Sequence, residues 1–463
     1  MSDTLERSRT EEVMQAIRQR IERRMLTPGA RLPSVRAMAE ASNVSKSTVV
    51  EAYDRLVAEG VIRSRPGSGF YVAAPLAPLA LADIGPARDR QIDPLWMLRH
   101  SLEARADALR PGSGWLPQAW MAEDTIRKGL RHLSRADAGD ILVNYGTPHG
   151  PEPLRRLIAR RISDQGVELG PDQVLMTDSC TNALDLVLRF LIEPGDTVLI
   201  DDPCYFNFHA MLRAHRAKPV GVPMTPHGPD IAAFEAALVA HRPRVYITNA
   251  AVHNPTGAAI TAPIAHRLLK LAEAHDLVIV EDDIFADFEM EPAPRLAAFD
   301  GLDRVIRIGS FSKTLSSAVR CGHVAARPDW IAAMADLKIA TAMSTNVLST
   351  ELLYCALTDG SYRRHVEKVR VRLAAAMRSA IARLKGLGIE PWIEPSAGLF
   401  VWCRLPAGLC ATEIASAGLA HDILYAPGDV FSLAGTAGDY MRFNVTAMDE
   451  RVYRHLAAMI GGR

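Results

Sequence analysis

Val305-Ile306-Arg307-Ile308-Gly309 runs directly into Ser310-Phe311-Ser312-Lys313-Thr314-Leu315, with Arg320 seven residues past the lysine, and this stretch decides how the chain is read. Its first five residues are a short β-type run, so Lys313 is expected at the carboxyl end of a strand. Ligands of open α/β sheets bind at that edge. A lysine there forms a Schiff base with a carbonyl cofactor. The hydroxyls of Ser310 and Ser312 and the guanidinium of Arg320 suit a phosphate. A surface lysine in a serine-rich turn would have the same local sequence, so the segment needs support from elsewhere.

That support comes from the other strand ends. Val198-Leu199-Ile200 leads into Asp201-Asp202-Pro203-Cys204-Tyr205, and Val245-Tyr246-Ile247 leads to His253-Asn254-Pro255-Thr256-Gly257. Val278-Ile279-Val280 ends at Glu281-Asp282-Asp283. Short apolar runs separated by helical stretches predict a mostly parallel sheet, so four strands deliver polar groups to one edge. Each group meets a need of pyridoxal phosphate. The ring nitrogen is an electron sink only when protonated, which calls for a carboxylate, and Asp282 follows its strand directly. Asp283 reads as a solvated neighbour. Tyr205 can stack on a flat ring, and the Asn254 amide can donate to the phenolate oxygen. Tyr440-Met441-Arg442-Phe443-Asn444 places Arg442 in a β-type run, and a guanidinium clamps an amino-acid carboxylate.

Together these residues resemble a fold-type I aminotransferase over roughly residues 94–463, with a smaller C-terminal α/β subdomain. The resemblance implies that Lys313 carries pyridoxal 5'-phosphate as an aldimine and that Asp282 pairs with the pyridinium. It makes Tyr205 the stacking ring and Asn254 the phenolate donor. Ser310, Ser312 and Arg320 would hold the phosphate, and Arg442 the substrate carboxylate. Tyr145, in NYGTPHGPEPLR, matches the tyrosine that reaches the neighbouring subunit's phosphate, which implies a homodimer. Two departures stand out. Asp282-Asp283-Ile284-Phe285 ends in Phe where such enzymes usually carry Tyr, removing a hydroxyl from the phenolate oxygen. Thr177-Asp178-Ser179-Cys180-Thr181-Asn182 stands where the phosphate cup usually reads Gly-Ser/Ala-Gln. The backbone N–H groups of Ser179, Cys180 and Thr181 can still cradle a phosphate at a helix start, provided Asp178 turns away.

The amino-terminal end has another character. Val13, Ile17, Ile21 and Met25 mark an amphipathic helix over 10–26, stopped by Thr27-Pro28-Gly29. Ser34 caps a short second helix, and Ser45 caps a third that runs to about Glu59 with Val49, Tyr53 and Leu56 inward. Val61–Arg65 and Gly69–Val72 flank Pro66-Gly67-Ser68 as a β-hairpin. Three helices and a basic hairpin make a winged helix-turn-helix. LPSVRAMAEASNVSKSTVVEAYDRLVAEGVIRSRPGSGFYV resembles the GntR-family DNA-binding domain across its length. By that resemblance Arg36, Ser45, Lys46, Ser47 and Thr48 touch phosphates or base edges, and Gly67 lets the wing approach the minor groove. Arg63 and Arg65 of the hairpin are further candidates for phosphate contact. Val50 replaces an arginine found in several members.

Residues 73–93, AAPLAPLALADIGPARDRQID, are rich in Ala and Pro and lack periodicity. A semi-rigid linker at 76–93 then separates the reader, 1–75, from the body, 94–463. A GntR-like reader on an aminotransferase-like body resembles the MocR-type bacterial regulators. Duplex DNA with two half-sites and an amino-acid or amine effector are the implied partners. Three readings remain open: a regulator that senses an amino acid, an amine or the cofactor; a working aminotransferase with an appended reader; and a binding module with a relict site.

Composition is consistent with this. The 463 residues, 48% hydrophobic and 23% charged, describe a globular protein of two or three domains. No apolar run approaches the length of a membrane span, and the first residues lack the apolar core of a signal peptide, so a cytoplasmic location is expected. Six scattered cysteines without Cys-x-x-Cys pairs argue against zinc and disulfides. The net charge is zero, but residues 1–75 carry 12 Lys and Arg against 9 acids, in keeping with a nucleic-acid-facing end.

Overall fold

A computed structural model describes residues 8–22, 26, 29–65, 68–73, 99–100, 102–103, 105, 107–135 and 143–461. The chain divides into two compact units, Met1–Gln91 and Ile92–Arg463. The expected linker lies outside the described residues, as do Met25 and Gly67.

The first unit holds helices α1 (Arg9–Glu22), α2 (Val35–Ser42) and α3 (Lys46–Ala58) and strands β1 (Ile62–Arg65) and β2 (Gly69–Val72). Local chemistry sets the helix ends. Ser34 Oγ accepts the Ala37 N–H at 3.2 Å, and Asn43 closes α2 in the left-handed region at φ 50°. Ser45 Oγ accepts the Thr48 N–H at 3.1 Å to start α3. Val13, Ile17, Val49, Tyr53 and Leu56 are buried against Ile62 and Val72. Each such burial is worth roughly 1.5–3 kcal/mol, which short helices need to persist. The hairpin pairs Ile62 with Val72 through Arg65 with Gly69, antiparallel.

The second unit is built on an eight-stranded sheet. Its strands are β3 (Val174–Thr177), β4 (Thr197–Asp202), β5 (Lys218–Thr225), β6 (Gly228–Pro229), β7 (Val245–Thr248), β8 (Val278–Asp282), β9 (Val305–Ser310) and β10 (Gly322–Ala325), in the order 3-10-9-8-7-4-5-6. The pairings β9·β8, β8·β7, β7·β4 and β4·β5 are parallel, and β10 runs antiparallel between β9 and β3. Alternation explains the apolar runs. Leu199, Tyr246, Ile279 and Val305 join the core on one face, while Val198, Ile200, Ile247, Val280 and Ile306 join the core on the other. Both faces are buried, as parallel sheets require.

A smaller antiparallel sheet follows, of β11 (Glu390–Pro391), β12 (Phe400–Arg404), β13 (Ala426–Pro427) and β14 (Tyr440–Asn444), ordered 11-12-14-13. Helix Ser361–Gly386 packs Leu373, Met377 and Leu384 with Val401 and Phe443 of this sheet. Residues 109–115 strap across it: the Leu424 N–H donates to Leu109 O at 2.8 Å and the Gly112 N–H to Leu424 O at 2.8 Å. A Cβ on Gly112 would fall 2.5 Å from the Ala426 nitrogen, so only glycine permits this approach. No described helix is long and apolar enough to cross a membrane, and none of the six cysteines is disulfide-bonded.

Candidate functional site

Lys313 sits in the turn after β9, where Phe311 and Leu315 are buried beneath it and anchor the loop. Ser310 Oγ accepts the Ser312 N–H at 3.1 Å and donates to Cys321 O at 2.9 Å. Ser310 thus shapes the loop, while Ser312 and Lys313 line a cleft between the large and small sheets. Burial, then the nearby Arg442, pull the Lys313 amine down to about 8, with Asp282 opposing. An amine so tuned is a far better nucleophile near neutral pH than an ordinary lysine.

Asp282 lines the same cleft from the end of β8. Its Oδ1 accepts the Cys180 thiol at 3.2 Å and the Ile284 N–H at 3.1 Å. No hydrogen bond to Oδ2 is present among the described residues, although the Asn249 side chain lies close enough to favour the charged form. Burial lifts the carboxyl to about 6. A cationic N–H arriving at Oδ2 would offset the burial that these hydrogen bonds leave uncompensated.

The far end of the cleft is the start of helix Cys180–Leu191. Ser179 Oγ accepts the Asn182 N–H at 3.0 Å, while the N–H groups of Ser179, Cys180 and Thr181 have no hydrogen-bond partner among the described residues. Gly322 makes the loop's position possible, because a Cβ there would lie 2.4 Å from the Ser179 carbonyl carbon. Arg320 is exposed at this end and forms no ion pair among the described residues. Asp178 has turned away: its Oδ1 accepts the Asn346 N–H at 3.5 Å.

Arg442 is a buried charge in the cleft with no counter-ion among the described residues. It is 1% exposed, and its Nη1 donates to Asn254 Oδ1 at 2.8 Å and its Nη2 to Gly112 O at 2.6 Å. Nε has no partner, and no carboxylate pairs with the group among the described residues. The guanidinium lies 4.0 Å from the Phe400 ring centroid and 4.7 Å from that of Phe431. Burial lowers it to about 9. Asn254, held through Oδ1, keeps its Nδ2 donors for another partner. Tyr205 lines the cleft, packed 5.1 Å from Phe206 and 5.5 Å from Phe208 between ring centroids. Phe285 lines it too, edge-on to Phe400 at 5.6 Å. Tyr145 stands apart, 83% exposed and away from its own cleft.

Two findings were hidden in the sequence. Asp283 is not solvated: it is buried and bonded to Arg295 at 3.2 Å and to Arg307. Burial opposes its charge, but these two cations outweigh that and hold its carboxyl low. The other is the strap. Gly112, Gly114 and Trp115 line the cleft, and a Cβ on Gly114 would lie 3.8 Å from Lys313 Nζ. Asn444 Nδ2 fixes the strap by donating to Ser113 O at 3.2 Å and Trp115 O at 2.8 Å. Its one sequence signal is the run Pro111-Gly112-Ser113-Gly114-Trp115. Asn249, whose Nδ2 donates to Asp282 O at 3.0 Å, was equally silent.

In the first unit, Ser45, Lys46 and Ser47 are exposed at the amino end of α3, Thr48 is half-buried beside them, and Arg36 is exposed on α2. The Ser45 hydroxyl lies 2.7 Å from that of Ser47 and 2.8 Å from that of Thr48. Val50 is 44% exposed. Arg63 and Arg65 are exposed on β1, with Arg65 stacked 4.7 Å from the Tyr71 ring centroid.

Residues 112–460 match the family described as aminotransferase class I and II, and residues 9–72 match the bacterial regulatory proteins of the gntR family. The chain belongs to the class I and II aminotransferase family. Its gntR reader gives it the MocR-like architecture. It is 30% identical to the uncharacterized HTH-type transcriptional regulator YdcR of Escherichia coli (strain K12), over 98% of this chain and 99% of that one. It is 29% identical to a 2-aminoadipate transaminase of Thermus thermophilus, over 72% of this chain and 84% of that one. Among solved structures, LysN, the alpha-aminoadipate aminotransferase of Thermus thermophilus complexed with N-(5'-phosphopyridoxyl)-L-leucine, superposes with a TM-score of 0.72 at 26% identity, over 79% of this chain and 94% of that one.

This MocR-like protein is a DNA-binding transcriptional regulator whose cofactor is pyridoxal phosphate. The residues present fit that group. Free N–H groups at a helix start and an unpaired Arg320 suit the phosphate. The open Asp282 Oδ2 suits a protonated ring nitrogen, and Lys313 suits the carbonyl.

Proposed function

We propose that the aminotransferase-like body holds pyridoxal phosphate on Lys313 and senses an amino acid, an amine or the cofactor itself, changing how a homodimer reads two DNA half-sites in the cytoplasm. The observation that carries this reading is the buried Arg442, which faces the same cleft as Lys313 and Asp282 and has no counter-ion among the described residues. A buried unpaired guanidinium is costly, and a ligand carboxylate compensates it. Pyridoxal phosphate supplies an electrophilic carbonyl and an electron-accepting ring. Lys313 binds that carbonyl through Nζ, and Asp282 Oδ2 holds the proton on the ring nitrogen. Tyr205 flanks the ring, Asn254 Nδ2 donates to its phenolate oxygen, and the 179–181 N–H groups with Ser312 and Arg320 hold the phosphate. Arg442 orients the carboxylate of an incoming amino acid.

Turnover as an aminotransferase is the second reading, favoured by the presence of Lys313, Asp282 and Arg442 together. Phe285 weighs against it, because no hydroxyl stands there to steady the phenolate. Borohydride reduction of the purified protein followed by peptide mapping tests the site. Cofactor fixed on Lys313 supports it; cofactor fixed on another lysine, or none, refutes it.

A further inference from the structure

Lys338, on helix Pro328–Ala342, is 2% exposed and uses all three ammonium donors. They go to Pro148 O at 2.7 Å, to Met176 O at 2.8 Å and to the Thr345 hydroxyl. No hydrogen-bond acceptor is a carboxylate, and burial draws the amine down to about 8, with the nearby charge of Asp178 opposing. Desolvating such a cation is costly, and the neutral oxygens with the nearby Asp178 return only part of that cost. A leucine or methionine would pack this position more cheaply, so the charge has work beyond filling space.

The acceptors belong to two functional segments. Met176 is the penultimate residue of β3, which delivers the chain to the 178–181 phosphate loop. Its carbonyl also accepts the Thr345 hydroxyl at 3.2 Å, and its N–H donates to His149 O at 2.9 Å. Pro148 lies in the segment that carries Tyr145, three residues upstream. That segment is clamped: a Cβ on Gly146 would lie 2.9 Å from Val347 Cγ2, and one on Gly150 2.3 Å from Met176 Cγ. Tyr145 itself projects, 83% exposed.

We propose that Lys338 is a positioning joint between two cofactor sites: its ammonium sets the strand end feeding its own phosphate loop and the segment that offers Tyr145 to a second copy of the chain. The inference rests on the dimeric, pyridoxal-phosphate-binding reading above. Through this joint each subunit's cofactor is held partly by the partner's Lys338, with no contact between that lysine and the cofactor it steadies.

Single-site hybrid dimers test this. The reference hybrid joins a Lys313→Ala subunit to a wild-type one, leaving one covalent site. Lys338→Gln is then placed either in the subunit that keeps Lys313 or in the Lys313→Ala subunit, and cofactor release is followed by absorbance after dilution into a scavenger. Release should quicken about tenfold in both arrangements, the effect of losing roughly one hydrogen bond to a charged group. The second arrangement decides the matter, because a merely local structural role leaves it at the reference rate, and that result overturns the proposal. If Lys338→Gln fails to fold, Thr345→Val in the same two arrangements should quicken release at least twofold, and no effect in the second again refutes it. A wild-type chain that holds cofactor as a monomer overturns the joint while leaving the site intact. A wild-type chain that holds no cofactor overturns the site reading itself.

Discussion

Arg442 Nη1 lies 2.8 Å from Asn254 Oδ1, so one hydrogen bond joins the proposed carboxylate clamp to the amide proposed to face the cofactor ring. Since β14 supplies the arginine and the loop after β7 supplies the asparagine, the bond also ties the small sheet to the large one. On that proposal, occupation of the clamp would be felt at the ring and at the sheet junction together.

Replacing Arg442 by Gln should separate these roles. A hydrogen bond to a charged group is worth roughly 1.5–3 kcal/mol, so affinity for amino acids should fall about 10–150-fold. Amines without a carboxylate should bind as before, and the cofactor should remain. Absorbance titrations with an amino acid and its decarboxylated amine check this; equal losses for both would show that Arg442 does not meet the carboxylate.

Phe285→Tyr restores a hydroxyl to a ring that lines the cleft. The added hydrogen bond should lower the pH midpoint of the bound cofactor's absorbance change by about one to two units. It should also speed reaction with amino donors. An unmoved midpoint in a spectroscopic titration would mean that position 285 does not address the phenolate oxygen.

The lowered Lys313 amine sets a pH dependence. Its value in the fold, about 8, lies below the ordinary lysine value, so between the two the folded protein has released a proton that the unfolded chain keeps. Its contribution to stability therefore rises with pH across that window, as it does for Lys338. Capture of pyridoxal phosphate by the apoprotein needs the neutral amine. The rate should climb up to about pH 8 and then level, as followed by stopped-flow absorbance. A rate still climbing steeply past pH 10 would contradict the depressed value.

Lys46 stands exposed at the amino end of α3. If it neutralises one phosphate, Lys46→Ala should flatten the log–log salt dependence of DNA binding by about 0.9. Comparable measurements on Arg36→Ala with specific and nonspecific DNA separate a base contact from a phosphate contact. An unchanged slope for Lys46→Ala would remove that residue from the interface.

Much of this architecture was legible because period and punctuation agreed. Val198, Ile200, Val245, Ile247, Val280 and Ile306 form continuous apolar runs since both sheet faces are covered, and the polar residue ending each run marks the cleft edge. The helix starts of the reader followed from Ser34 and Ser45. What stayed hidden depends on contacts distant in sequence. Asp283 reads as an exposed acid until Arg295 and Arg307 close on it. The strap over the cleft comes from residues 109–115, more than 300 positions before Asn444, which holds it. Lys338 on an apolar helix carried no motif at all. Ser310, expected at the phosphate, instead spends its hydroxyl on Ser312 and Cys321.

The most direct measurement of the account is DNA affinity with and without an amino acid or amine, compared between the wild-type protein and Lys313→Ala. The account predicts that an effector which perturbs the cofactor absorbance also shifts wild-type DNA affinity. Lys313→Ala should bind the same DNA at the same salt but lose that shift, and removal of residues 1–75 should abolish binding. A Lys313→Ala protein whose DNA affinity still responds normally to the effector would contradict the coupling of reader to cofactor site.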